Sequence, residues 1–110
     1  MNQSCKTIWE TPTAKQLASV VTNMSDLEEV QSFLRDVMTE KEIIEISSRL
    51  EAAKMLDRGV KYTDIVEKTK LSSRTIARIS DWMKNGCSGY MKAIELTNTH
   101  HNHISPVRAE

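Results

Sequence analysis

The sequence predicts an all-α fold of six helices containing a helix-turn-helix. Three observations carry that prediction. Apolar residues recur at helical spacing along most of the chain, and 39% of the 110 residues are hydrophobic but only 5% aromatic. Leu, Ile, Val, Met and Ala must therefore fill the core. Three glycines and two prolines are too few for the many turns of a sheet sandwich. Helix-start signals, a Ser or Thr followed three residues later by Glu, occur twice ahead of a periodic run. The length allows one domain with tails.

Residues 1–12 lack periodicity and contain Pro12. They read as a flexible N-terminal arm, with Ile8 and Trp9 available to dock on a core or a partner. The helical domain is expected over 13–96. Its first helix starts at Thr13 and aligns Leu17, Val20, Val21 and Met24. Ser25 and Glu28 form a capping box for the next helix, whose apolar face is Leu27, Val30, Phe33, Leu34 and Val37. Thr39 and Glu42 form a second box and open the longest helix, which runs to about Arg58. Ile43, Ile46, Leu50 and Ala53 make one stripe there, widened by Ile44, Met55 and Leu56. A stripe that wide suits a central helix or one shared across a homodimer. Gly59 supplies the left-handed residue that ends it.

Thr63 is expected to cap a short helix ending near Thr69, and Ser72 or Ser73 to cap another ending near Asn85, stopped by Gly86. A last short helix is expected from Ser88 through Leu96, carrying Tyr90, Met91 and Ile94. Residues 97–110 are polar and read as a flexible C-terminal tail.

Charge is divided unevenly under a net of zero. Residues 1–48 hold four basic and eight acidic side chains, whereas 49–92 hold ten basic and five acidic. At a screening length of ~8 Å the basic half presents its own local potential to phosphates. Other chemistries find little support. Cys5 and Cys87 have no neighbouring ligand pattern and read as free thiols of a cytoplasmic protein. No apolar run approaches the ~18 residues that span a bilayer, so no membrane role is expected. His100, His101 and His103 lack a second ligand cluster, and no metal is assigned. Glu40, Glu42 and Glu45 suit a helix start rather than acid–base work. No nucleophile–base arrangement or phosphate loop appears, so an enzyme is not expected.

The stretch 63–83, "TDIVEKTKLSSRTIARISDWM", has the parts of a helix-turn-helix: a short helix, a tight turn and a second helix with polar residues at its start. Ile65, Val66 and Leu71 face inward with Ile76, Ile79 and Met83. Ser73, Arg74 and Ala77 face outward as candidates for base contact. Lys68, Lys70, Ser72, Thr75 and Arg78 are the candidates for phosphate contact.

Three segments, "RLEAAKMLDRG", "YTDIVEKTKLSSRTIARI" and "KNGCSGYMKAIEL", resemble the Trp repressor superfamily, and within it the TrpR-related YerC/YecD family. The resemblance covers about residues 25–96. It implies a Trp repressor-like fold, an intertwined homodimer and two helix-turn-helix heads on double-stranded DNA. It also marks an effector pocket: Thr39, Arg49 and Arg78 match family positions around a bound tryptophan, the two arginines being able to stack on an indole and bind a carboxylate. Three positions depart from it. Ile79 stands where tryptophan-binding members have glycine, Trp82 where they have serine, and Lys70 where the turn commonly has glycine. A tryptophan corepressor is therefore disfavoured, and no other cofactor is expected. The function expected is a sequence-specific transcriptional regulator, a repressor acting on an operator. A replication-initiator-type DNA-binding domain and a structural dimerisation or protein-interaction module without DNA binding are the alternatives.

Overall fold

The computed structural model describes residues 3–104, with side chains from Cys5 to Asn98. Every regular element among them is helical: α1 Gln3–Thr7, a 3-10 turn Ile8–Glu10, α2 Pro12–Thr22, α3 Leu27–Val37, α4 Glu40–Asp57, α5 Tyr62–Thr69, α6 Ser73–Asn85 and α7 Gly89–Ile104. The chain divides into two compact units, Met1–Ser47 and Ser48–Glu110.

In the first unit, local signals place the helix starts more accurately than periodicity does. Pro12 opens α2 at its first position, with Thr11 extended before it. A fixed φ and no needed N–H suit proline there. The start expected at Thr13 is thus one residue late. The expected box of Ser25 and Glu28 is also displaced by one. Asp26 accepts from the Glu29 amide at 2.9 Å, and the Glu29 carboxylate accepts from the Ser25 amide at 3.0 Å. The carboxylate of Asp26 takes the cap, and the helix begins at Leu27. The second box forms as read: Thr39 Oγ1 accepts from the Glu42 amide at 3.1 Å and Glu42 Oε1 from the Thr39 amide at 2.9 Å.

Residues 3–10, expected to hold no element, form α1 and the 3-10 turn. Their anchor is Cys5, 6% exposed, which an apolar-periodicity reading does not register. The expectation of free thiols is overturned as well. Both Cys5 and Cys87 are disulfide-bonded, and no cysteine is free among the described residues. The apolar residues of this unit stay largely uncovered: Leu17, Leu27, Val37, Ile44 and Ile46 are 47%, 71%, 56%, 64% and 56% exposed.

The second unit holds the core. Ala52, Ala53 and Met55 from α4, Ile65 from α5, Ile76 and Ile79 from α6 and Ile94 from α7 cluster there, flanked by Leu56, Val60, Val66, Leu71, Met83 and Tyr90. α4 closes with paired carbonyl caps: the Val60 amide donates to Met55 and the Gly59 amide to Leu56, both at 3.0 Å. This geometry needs a left-handed residue at 59, and Gly59 has φ +80°.

Two further boundaries differ from expectation. α5 starts at Tyr62 rather than Thr63, and Lys61 precedes it without a side-chain cap. α7 begins at Gly89 and continues to Ile104, past the expected end at Leu96. The half-buried Thr97 donates to the Ala93 carbonyl at 2.9 Å, and no Gly or Pro interrupts the helix before Pro106. Side chains of the His100–His103 stretch lie outside the described residues. Among those described, no group of His, Cys, Asp and Glu is arranged to hold a metal, and no helix is long and apolar enough to cross a membrane.

Candidate nucleic-acid interface

The turn between α5 and α6 is built from side-chain locks. Thr69, 8% exposed, donates from Oγ1 to the Ile65 carbonyl at 2.7 Å and accepts from the Leu71 amide at 3.2 Å. One hydroxyl thus ends α5 and directs the chain out of it. Lys70 follows with φ 65° and ψ 11°, its amide donating to Val66 at 2.8 Å. Ser72 then caps α6, accepting from the Thr75 amide at 3.1 Å while its hydroxyl donates to Thr75 Oγ1 at 3.1 Å.

Beyond the turn, α6 is strongly two-faced. Ile76 and Ile79 are fully buried, whereas Ser73, Arg74, Ala77 and Arg78 are all exposed. Residues spaced i, i+1, i+4 and i+5 share one side of a helix, so these four form a single outward strip. The strip starts at the helix N-terminus, where the first backbone amides lack intrahelical partners and the dipole is positive. Two arginines at that end run against dipole preference. The small Ala77 between them admits close approach of a partner. Of the candidate phosphate contacts, Lys68, Lys70 and Ser72 are exposed and Thr75 is half-buried.

The candidate effector residues are placed differently. Thr39 belongs to the first unit, and its hydroxyl serves as the α4 cap. Arg49 is half-buried, with its Nε out of solvent. It stands close enough to act on Tyr90: burial pushes the Tyr90 phenol up from its ordinary value of 10.0, and the Arg49 guanidinium pulls it the other way. Trp82 remains 42% exposed.

Two contributors escaped the sequence reading. Thr69 was legible only as a Ser/Thr turn signal, a hydroxyl two residues before the amide it binds. The other is Glu51 of α4. Its Oε1 lies 3.8 Å from Lys54 Nζ, and its Oε2 lies 3.9 Å from Arg58 Nη2 and 3.8 Å from Lys68 Nζ. Spacing within α4 pairs Glu51 with Lys54, but only the packing of α5 on α4 brings in Lys68.

This two-helix head, carried on an all-α chain, matches the family model described as Trp repressor protein over residues 13–98. The chain belongs to the Trp repressor family. The uncharacterized protein YerC of Bacillus subtilis is 35% identical over 80 residues, 73% of this chain and 77% of YerC. A TrpR-like protein from Eubacterium eligens has a crystal structure with TM-score 0.77 at 36% identity, covering 84% of this chain and 95% of that one. A candidate Trp repressor from Staphylococcus aureus gives TM-score 0.78 at 26% identity, covering 89% and 96%. The chain is thus a YerC-like member of the Trp repressor family, a family of DNA-binding transcription regulators.

Proposed function

We propose that this YerC-like Trp repressor-family chain is a sequence-specific transcriptional repressor that binds an operator as a homodimer. The observation that carries the reading is the outward strip of α6, set rigidly by Ile76 and Ile79 beneath it. On this reading α6 enters the major groove. Arg74 reaches base edges, Ser73 and Ala77 line the contact, and Lys68, Lys70, Ser72, Thr75 and Arg78 hold the backbone. A bidentate arginine–guanine contact contributes ~1–3 kcal/mol of discrimination.

The uncovered apolar residues of α2, α3 and the first half of α4 support the dimer. A single chain leaves Leu27 and Ile44 more than half exposed, and contiguous apolar surface of that kind marks an association face. The position of Ile79 supports repression without tryptophan. Where tryptophan-binding relatives carry glycine, this chain places a fully buried core isoleucine, and the added bulk occupies the side of α6 nearest the ligand.

Selection of bound fragments from a genomic DNA pool, with and without tryptophan, tests the reading. Wild type is expected to enrich one palindromic site equally in both arms, and Arg74→Ala to lose the enrichment with its fold intact. Failure to enrich any sequence refutes operator recognition. Enrichment only with tryptophan refutes the effector-free reading alone.

A further inference from the structure

A second basic feature of the same unit lies beside the α6 strip. Glu51, Lys54 and Arg58 belong to α4 and Lys68 to the last turn of α5, so the cluster joins two elements. The single carboxylate is divided between its oxygens, Oε1 toward Lys54 and Oε2 toward both Arg58 and Lys68. The side chains differ in exposure: Lys54 is 24% exposed, Arg58 59% and Lys68 65%. Lys54 therefore neutralises Glu51 from the protein side, and two cations converging on one oxygen are left with a net positive charge facing solvent.

Such an arrangement is a poor device for stability. Two exposed ion pairs at 3.8–3.9 Å contribute little, and holding Arg58 beside Lys68 is repulsive. It does what an anion site needs, which is to keep two flexible cations ordered and adjacent before the anion arrives. Lys68 stands five residues before Ser73 across a tight turn, which places the cluster at the flank of the α6 N-terminus.

We propose that Arg58 and Lys68, oriented by Glu51 and Lys54, form a second backbone clamp that grips DNA phosphates beside the groove entered by α6. The proposal rests on the DNA-binding reading and adds Arg58 as a contact, with Glu51 and Lys54 as positioning residues. Neutralising one phosphate contact lowers the salt slope of log K by about 0.9, whatever the DNA sequence.

The test needs no operator. Binding of the full chain to a fluorescent random-sequence duplex is measured by anisotropy from 50 to 200 mM salt. Arg58→Gln and Lys68→Gln are each expected to reduce the slope by about one, and the double variant by about two. Over that fourfold salt range the double variant then loses about tenfold less affinity than wild type. Arg58→Lys is expected to keep the slope, and Lys92→Gln, on exposed α7, to leave it unchanged. Thermal melts establish that each variant is folded. Slopes equal to wild type in folded Arg58→Gln and Lys68→Gln overturn the clamp while leaving the α6 reading intact. A wild-type chain that binds no duplex at any salt overturns both.

Discussion

Lys70 offers a direct measure of how far the turn dictates the head. Its φ of 65° lies in the left-handed region, where a Cβ crowds the following carbonyl and costs ~1–2 kcal/mol. Its amide is bonded to Val66 and its side chain is exposed, so neither packing nor burial changes greatly on substitution. Lys70→Gly and Lys70→Ala both remove the charge, but only glycine relieves the strain. Part of that relief is offset by the greater freedom of glycine in the unfolded chain, ~0.4–1 kcal/mol. The expected result is Lys70→Gly about 1 kcal/mol more stable than Lys70→Ala. In a chain of this size that separation is roughly 3–6 °C in Tm. The assay is a pair of thermal or urea melts at one protein concentration, because coupled dimerisation makes Tm depend on concentration. Equal stability of the two variants refutes a strained turn. Duplex binding supplies a second readout: if Lys70 contacts phosphate, both variants lose about one unit of salt slope, and glycine's stability gain does not restore it.

Two further outcomes follow from the same unit. Thr69→Val removes the acceptor of the Leu71 amide and is expected to cost ~1–2 kcal/mol, while Thr69→Ser retains most of the stability; a valine variant that melts with wild type shows the hydroxyl to be dispensable. At Tyr90, burial raises the folded-state phenol above 10.0, so the unfolded chain ionises first. The stabilisation is fully present below about pH 10 and is lost as pH rises through the raised folded value. Melts from pH 8 to 11 are expected to show wild type losing stability faster than Tyr90→Phe above pH 10, and parallel losses refute the assignment.

Much of the second unit was legible in the sequence because its signals are local. Ile65, Ile76 and Ile79 are buried as their spacing requires, Ser72 caps α6, and Gly86 ends it. At Gly86 a Cβ would collide with the Trp82 carbonyl, so a residue read simply as a stop is also a steric requirement. The first unit was less legible where two cap signals competed. Ser25 and Asp26 stand side by side, and only geometry shows that Asp26 takes the amide of Glu29. Cys5 and Cys87 were misread because nothing in a sequence spacing of that length distinguishes a bonded pair from two thiols. The Glu51 cluster was out of reach for a different reason, since its Lys68 arrives from another helix.

The departures at Ile79 and Lys70 bear on one question, what holds α5 against α6. A ligand controls such a head only by binding one arrangement of it better than another. Shifting a balanced pair of states from 1:99 to 99:1 takes ~5.5 kcal/mol of differential binding. Here the angle between the helices is held by side chains the chain itself supplies. Ile65, Ile76 and Ile79 meet in the core, and Thr69 bonds both the end of α5 and the start of the turn. With Ile79 fully buried, the space a glycine would leave is already filled by a residue that contributes to that angle. The proposed loss of tryptophan control and the rigidity of the head then have one physical cause. Ile79→Gly should expose both together, lowering stability through the lost core contacts while loosening α6, with duplex affinity falling further than the stability loss alone accounts for.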